Sequence, residues 1–84
     1  MGDVAIPKLD EVLRHNPDPR MRHSAVYAIA TIGGLSAVKS LKEALSTEAD
    51  NCVRKFIRTS LDSFDERGQI KDRGKWFSGG VCND

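Results

Sequence analysis

The sequence predicts an all-α protein built from antiparallel helical hairpins stacked on one another, and three observations carry that prediction. Apolar residues recur at helical spacing between breaks rich in proline, glycine and aspartate. The chain nearly repeats itself at an offset of 32 residues, from Ala5-Ile6 to Ala37-Val38. In that frame Leu9 meets Leu41, Glu11 meets Glu43, Leu13 meets Leu45 and Asp18 meets Asp50. Further on, Met21 meets Val53, Arg22 meets Arg54, Ile29 meets Leu61 and Ile32 meets Phe64. A period of this length made of two helical patterns signals stacked hairpins, because neither unit alone covers its own apolar face. Finally, 39% apolar and 30% charged residues over 84 positions fit one small folded domain and argue against disorder.

Each element follows from local chemistry. The first helix is expected from about Val4 to His15, with Ile6, Leu9, Val12 and Leu13 on one face. Pro7 is tolerated there because the first helical turn has no use for its missing N–H. Asn16-Pro17-Asp18-Pro19 breaks the chain, since residues preceding proline are pushed away from helical dihedrals. Asp18 then offers a side-chain acceptor as N-cap and Pro19 a preset first position, starting a helix from Pro19 to Ile32. Its buried face is expected to hold Met21, Ala25, Ala28, Ile29 and Ile32, and Gly33-Gly34 ends it. Ser36 is the expected cap of the third helix, whose Val38, Leu41 and Leu45 repeat the spacing of Ile6, Leu9 and Leu13. Asp50 caps a fourth, from about Asn51 to Glu66, burying Val53, Phe56, Ile57, Leu61 and Phe64 and stopped by Gly68. From Gln69 on no period is visible, and the tail is expected to be largely irregular.

Composition narrows the function classes. A net charge of +1 provides no strong field for nucleic acid or an anionic membrane. No apolar run reaches the length of a membrane span or a signal-peptide core, so the expected location is the cytoplasm. Ile6 stands where a myristoylation signal needs Ser or Thr, leaving Gly2 an ordinary residue. In that compartment Cys52 and Cys82 are expected to be reduced.

Asp18-Pro19-Arg20-Met21-Arg22 opens an Ala-rich helix that closes on Ile32-Gly33, and Ala37-Val38, Leu41 and Ala44-Leu45 follow. Over residues 5–64 this pattern resembles the short HEAT-like repeats of phycobilin lyases and deoxyhypusine hydroxylases. The resemblance implies a short HEAT-type α-solenoid of about two repeats and four helices over residues 1–67, with 68–84 an irregular or capping tail. It implies a scaffold more than an activity, because unrelated proteins stack these units. In the hydroxylases, His-Glu pairs at this place in several repeats hold a di-iron centre. Here His23 is followed by Ser24, and the matching pair in the second copy, Lys55-Phe56, offers no ligand. An oxygen-activating iron pair needs several converging carboxylate and imidazole donors, so an active hydroxylase is not expected of this chain.

Candidate sites are few. Asp18 with Arg22 and Asp50 with Arg54 recur with the repeat; they read as caps plus an inter-repeat charge ladder, or alternatively as a ligand-facing charge row. Arg54, Lys55 and Arg58 form a small basic cluster, suited to a phosphate or an acidic partner or simply a solvated face. Trp76 and Phe77 sit in a polar, Gly-flanked segment, where they either pack back over the last helix or anchor a partner, unless they belong to an appended segment. No Cys-x-x-Cys or His-x-x-x-His spacing, phosphate loop or nucleophile elbow is present, so no catalytic residue, metal or cofactor is expected. The expected function is a non-catalytic protein–protein interaction module. Its partner meets either the concave face lined by the helices of Leu9 and Leu41 or the aromatic tail. Self-association through the first or fourth helix is a further expectation, since solenoids normally need three repeats. The alternatives are a subunit or fragment of a lyase-like or hydroxylase-like assembly, and a nucleic-acid accessory module using the basic cluster.

Overall fold

The computed structural model describes the backbone of residues 2–80 and the side chains of residues 5–78. Among the described residues there are five helices: α1 (Gly2–His15), α2 (Pro19–Ile32), α3 (Leu35–Thr47), α4 (Asn51–Ser63) and α5 (Arg73–Gly80). Among the described residues the sole strand-like feature is an isolated bridge between Phe64 and Ile70.

The aspartate–proline break works locally. Asp18 takes an extended conformation and accepts the Arg20 N–H at 2.9 Å, with Pro19 in the first turn. Asp50 does the same for α4, accepting the N–H groups of Cys52 and Val53 at 2.9 and 3.0 Å. At the end of α2, Gly33 adopts φ +71° and its N–H closes on the Ile29 carbonyl. α3 begins one residue before the expected Ser36 cap: Gly34 is its N-cap and makes no side-chain capping bond.

Two differences lie in the last third. α4 stops at Ser63, short of Glu66, because the Asp65 carboxylate accepts the N–H groups of Arg67 and Gln69 and folds residues 65–69 into a turn. Gly68 completes that turn at φ +82°. Beyond it, the segment expected to be irregular forms α5, which gives five helices where four were expected.

α1 packs on α2 and α3, α2 also meets α3 and α4, and α4 packs on α3 and α5. The core between them is formed by Leu13, Val26, Ile29, Leu41, Val53, Phe56 and Ile57, all almost fully shielded from solvent. The α2 stripe joins this core only from its second turn, so Met21, expected inside, is 49% exposed. Cys52 is disulfide-bonded, against the reduced state expected of it, and Cys82 lies outside the described residues. No helix among the described residues is long and apolar enough to cross a membrane.

Candidate functional site

The recurring arginines come first, because each ties the start of its helix to the turn before it. Arg22 is half-buried on α2. Its Nε reaches Glu48 Oε1 at 3.0 Å, its Nη2 reaches Glu48 Oε2 at 3.0 Å, and its Nη1 donates to the Asn16 carbonyl at 2.8 Å. Glu48 is buried in the turn between α3 and α4, and its Oε2 also accepts the Asp50 N–H at 2.9 Å. The pair is therefore bidentate and shielded, with the remaining carboxylate capacity used by backbone. Arg54 holds the equivalent pose one repeat on. Its Nη1 donates to the Glu48 carbonyl at 3.0 Å, the carbonyl 32 residues after Asn16, and to the Leu45 carbonyl at 2.9 Å. The carboxylate partner in this ladder is Glu48, a residue the sequence reading did not single out. Its signal was available: Glu48 stands two residues before capping Asp50, as Asn16 stands two before capping Asp18, and both side chains accept that aspartate's N–H.

A second tie joins α1 to α3. Arg14 pairs with Asp10 at 3.0 Å and with Glu43 at 2.9 Å, and the Ser40 hydroxyl donates to Asp10. Between the two ties lies a cleft of about 230 Å³ lined by Leu13, Arg14, Arg22, Thr47, Glu48 and Ala49. Its charged walls are already paired, Arg22 with Glu48 across the cleft and Arg14 with Asp10 and Glu43 outside it. Elsewhere, backbone N–H groups of Arg20 at Asp18, and of Gln69 and Arg67 at Asp65, lower the pKa of each carboxyl below its ordinary value.

The aromatic residues of the tail do two different things. Trp76 is buried to 2% exposure, its ring lies between Tyr27 and Phe56 at 5.3 and 5.5 Å, and its Nε1–H donates to Ser60 Oγ at 2.7 Å. Because Tyr27 belongs to α2 and Phe56 to α4, Trp76 closes the seam between two repeats. Phe77 is 54% exposed and meets the 43%-exposed Tyr27 edge-on at 6.1 Å. Tyr27 escaped the sequence reading because its place beside the tail is set entirely by Trp76.

His23 continues the aromatic row, stacked on Phe56 at 4.3 Å. Among the described residues no three His, Cys, Asp or Glu side chains gather where a metal ion would sit. In the basic cluster, Lys55 and Arg58 are exposed, whereas Arg54 is half-buried and turned onto backbone carbonyls. The exposed residues of α1 and α3 include the charged Lys8, Glu11, Lys39, Lys42 and Glu43 and the apolar Leu35, while Leu41 is fully buried in the core. No protein-family model, curated protein or solved structure matches the chain.

Proposed function

We propose that this chain is a non-catalytic protein–protein interaction module, a short HEAT-type scaffold whose contact edge is formed by Tyr27 and Phe77. The observation that supports it is the exposed, mutually packed aromatic pair, set on a buried and hydrogen-bonded Trp76. Large aromatics carry much of the energy at protein interfaces. A pair whose backbone is already anchored loses little conformational entropy on binding. The charged faces of α1 and α3 offer fewer such anchors.

Site-specific photo-crosslinking tests this reading. A photoreactive phenylalanine analogue replaces Phe77 in cells that naturally express the chain, with the exposed Lys39 as the control position. The expected result is one discrete protein adduct from position 77 and none from position 39. Adducts with nucleic acid, or equal and diffuse adducts from both positions, would reject the proposal.

A further inference from the structure

We infer that Arg54 is a carboxylate-binding position that takes an aspartate or glutamate from an acidic segment of a partner protein. The inference rests on the interaction-module reading but uses a different face from the Tyr27–Phe77 edge. Arg22 supplies the template. Its Nη1 is held by the Asn16 carbonyl, which aims Nε and Nη2 at the Glu48 carboxylate of the next repeat. The Arg54 Nη1 is held by the Glu48 carbonyl, the equivalent of the Asn16 carbonyl, and also by the Leu45 carbonyl, which leaves its Nε–Nη2 edge without a hydrogen bond among the described residues. The residue 32 positions after Glu48 is Gly80, which has no carboxylate. Among the described residues Arg54 makes no ion pair, although the same edge of Arg22 binds both oxygens of one carboxylate.

The surroundings indicate what kind of occupant fits. Val26 and Ala30 are fully buried in α2, where the next repeat covers them, but the repeat places the exposed Arg58 and Asp62 at those positions in α4. Asp10, which reaches toward α3, is matched by the exposed Lys42. A further tightly packed hairpin would have to take those charges out of water, at a high cost. A polar, acidic segment suits Lys42, Arg54 and Arg58 and leaves them wet at the rim. A second copy stacked head to tail is a poor match, because the residue it would present at the place of Glu48 is Asn16. That side chain is neutral, and its Oδ1 already accepts the Asp18 N–H.

The test follows the arginine Nε–Hε resonances of the isotopically labelled chain by NMR. The probe is a blocked peptide Ser-Thr-Glu-Ala-Asp-Asn, copying residues 46–51, compared with Ser-Thr-Gln-Ala-Asn-Asn. The Arg54 resonance is expected to shift and saturate with the acidic peptide only, and to do so less at high salt. The Arg22 resonance stays still as the internal reference. Arg54→Lys, which keeps the charge and loses the bidentate fork, is expected to weaken binding roughly tenfold. An Arg54 resonance that stays still, or that moves equally with both peptides, overturns the inference while leaving the Phe77 crosslink standing. Concentration-dependent dimerisation abolished by Arg54→Lys would overturn it in favour of a second copy.

Discussion

Arg22 and Glu48 close two turns against each other with groups that are costly to leave half-matched. Glu48 has 3% of its side chain exposed and Arg22 has 16%, so removing one partner strands the other in a low-dielectric site. Arg22→Met alone is expected to cost about 3 kcal/mol, and Glu48→Met about 3–5 kcal/mol, because Glu48 is the more deeply buried and also accepts the Asp50 N–H. The double variant Arg22→Met/Glu48→Met is expected to recover most of that loss, since an apolar pair of similar volume replaces a buried ion pair at little net cost. Urea unfolding of the three variants gives the coupling energy directly. Additive losses would show that the two side chains act independently despite their 3.0 Å contacts.

At the scale of elements, a glycine pair seats the last third of the chain. The Gly34 N–H donates to the Gly68 carbonyl at 2.8 Å, bringing the turn after α4 onto the turn between α2 and α3. Gly68 sits at φ +82°, and a Cβ there would lie 2.6 Å from the Gly34 carbonyl oxygen, a backbone atom that has no rotamer to escape into. Gly68→Ala is therefore expected to cost about 1–3 kcal/mol from backbone strain and to break the seat. Hydrogen exchange reads it out: the Gly34 amide should exchange much faster, ahead of any change in the core amides of α2. Unchanged Gly34 protection would show that the seat survives a side chain. What was legible at this scale follows from locality. The Asp18-Pro19 and Asp50 starts, the Gly33 stop and the core stripe of α4 are set by neighbours in sequence, and the 32-residue offset doubled the capping aspartate. α5 was not legible, because Arg73-Gly74-Lys75-Trp76-Phe77-Ser78-Gly79-Gly80 has three glycines and no amphipathic period. Its helix depends on a slot for Trp76 built by Tyr27, Phe56 and Ser60, residues far away in the chain. The candidate site divides in the same way. Phe77 was visible as an apolar residue without a local partner and Glu48 as the counterpart of Asn16 two residues before a capping aspartate, whereas Tyr27 acquired its role only through tertiary contacts.

For the whole molecule, the question is how a chain of 84 residues holds α1 and α2 against α3 and α4. The radius of gyration is 11.4 Å, close to the roughly 12 Å of a compact single domain of this length. Domains this small bury a limited share of their surface, and their total stability lies toward the lower end of about 5–15 kcal/mol. Against that total, one fully buried tryptophan spanning both units is a large contribution, since truncating such a side chain costs about 3–5 kcal/mol. Removing residues 73–84 should therefore lower the urea midpoint steeply and leave the remaining chain marginal at room temperature. Phe56 and Tyr27 would be uncovered together along the seam between α2 and α4, and exposed aromatic area of this kind promotes association. Sedimentation across a wide concentration range should then find the shortened chain behaving like the full one only if the seam is stable by itself. The expected outcome is the opposite: the shortened chain loses far-UV helical signal beyond the eight residues of α5 and associates as concentration rises. An unaltered midpoint would mean that α1–α4 already close their own core, and that α5 is held in place solely to present Phe77.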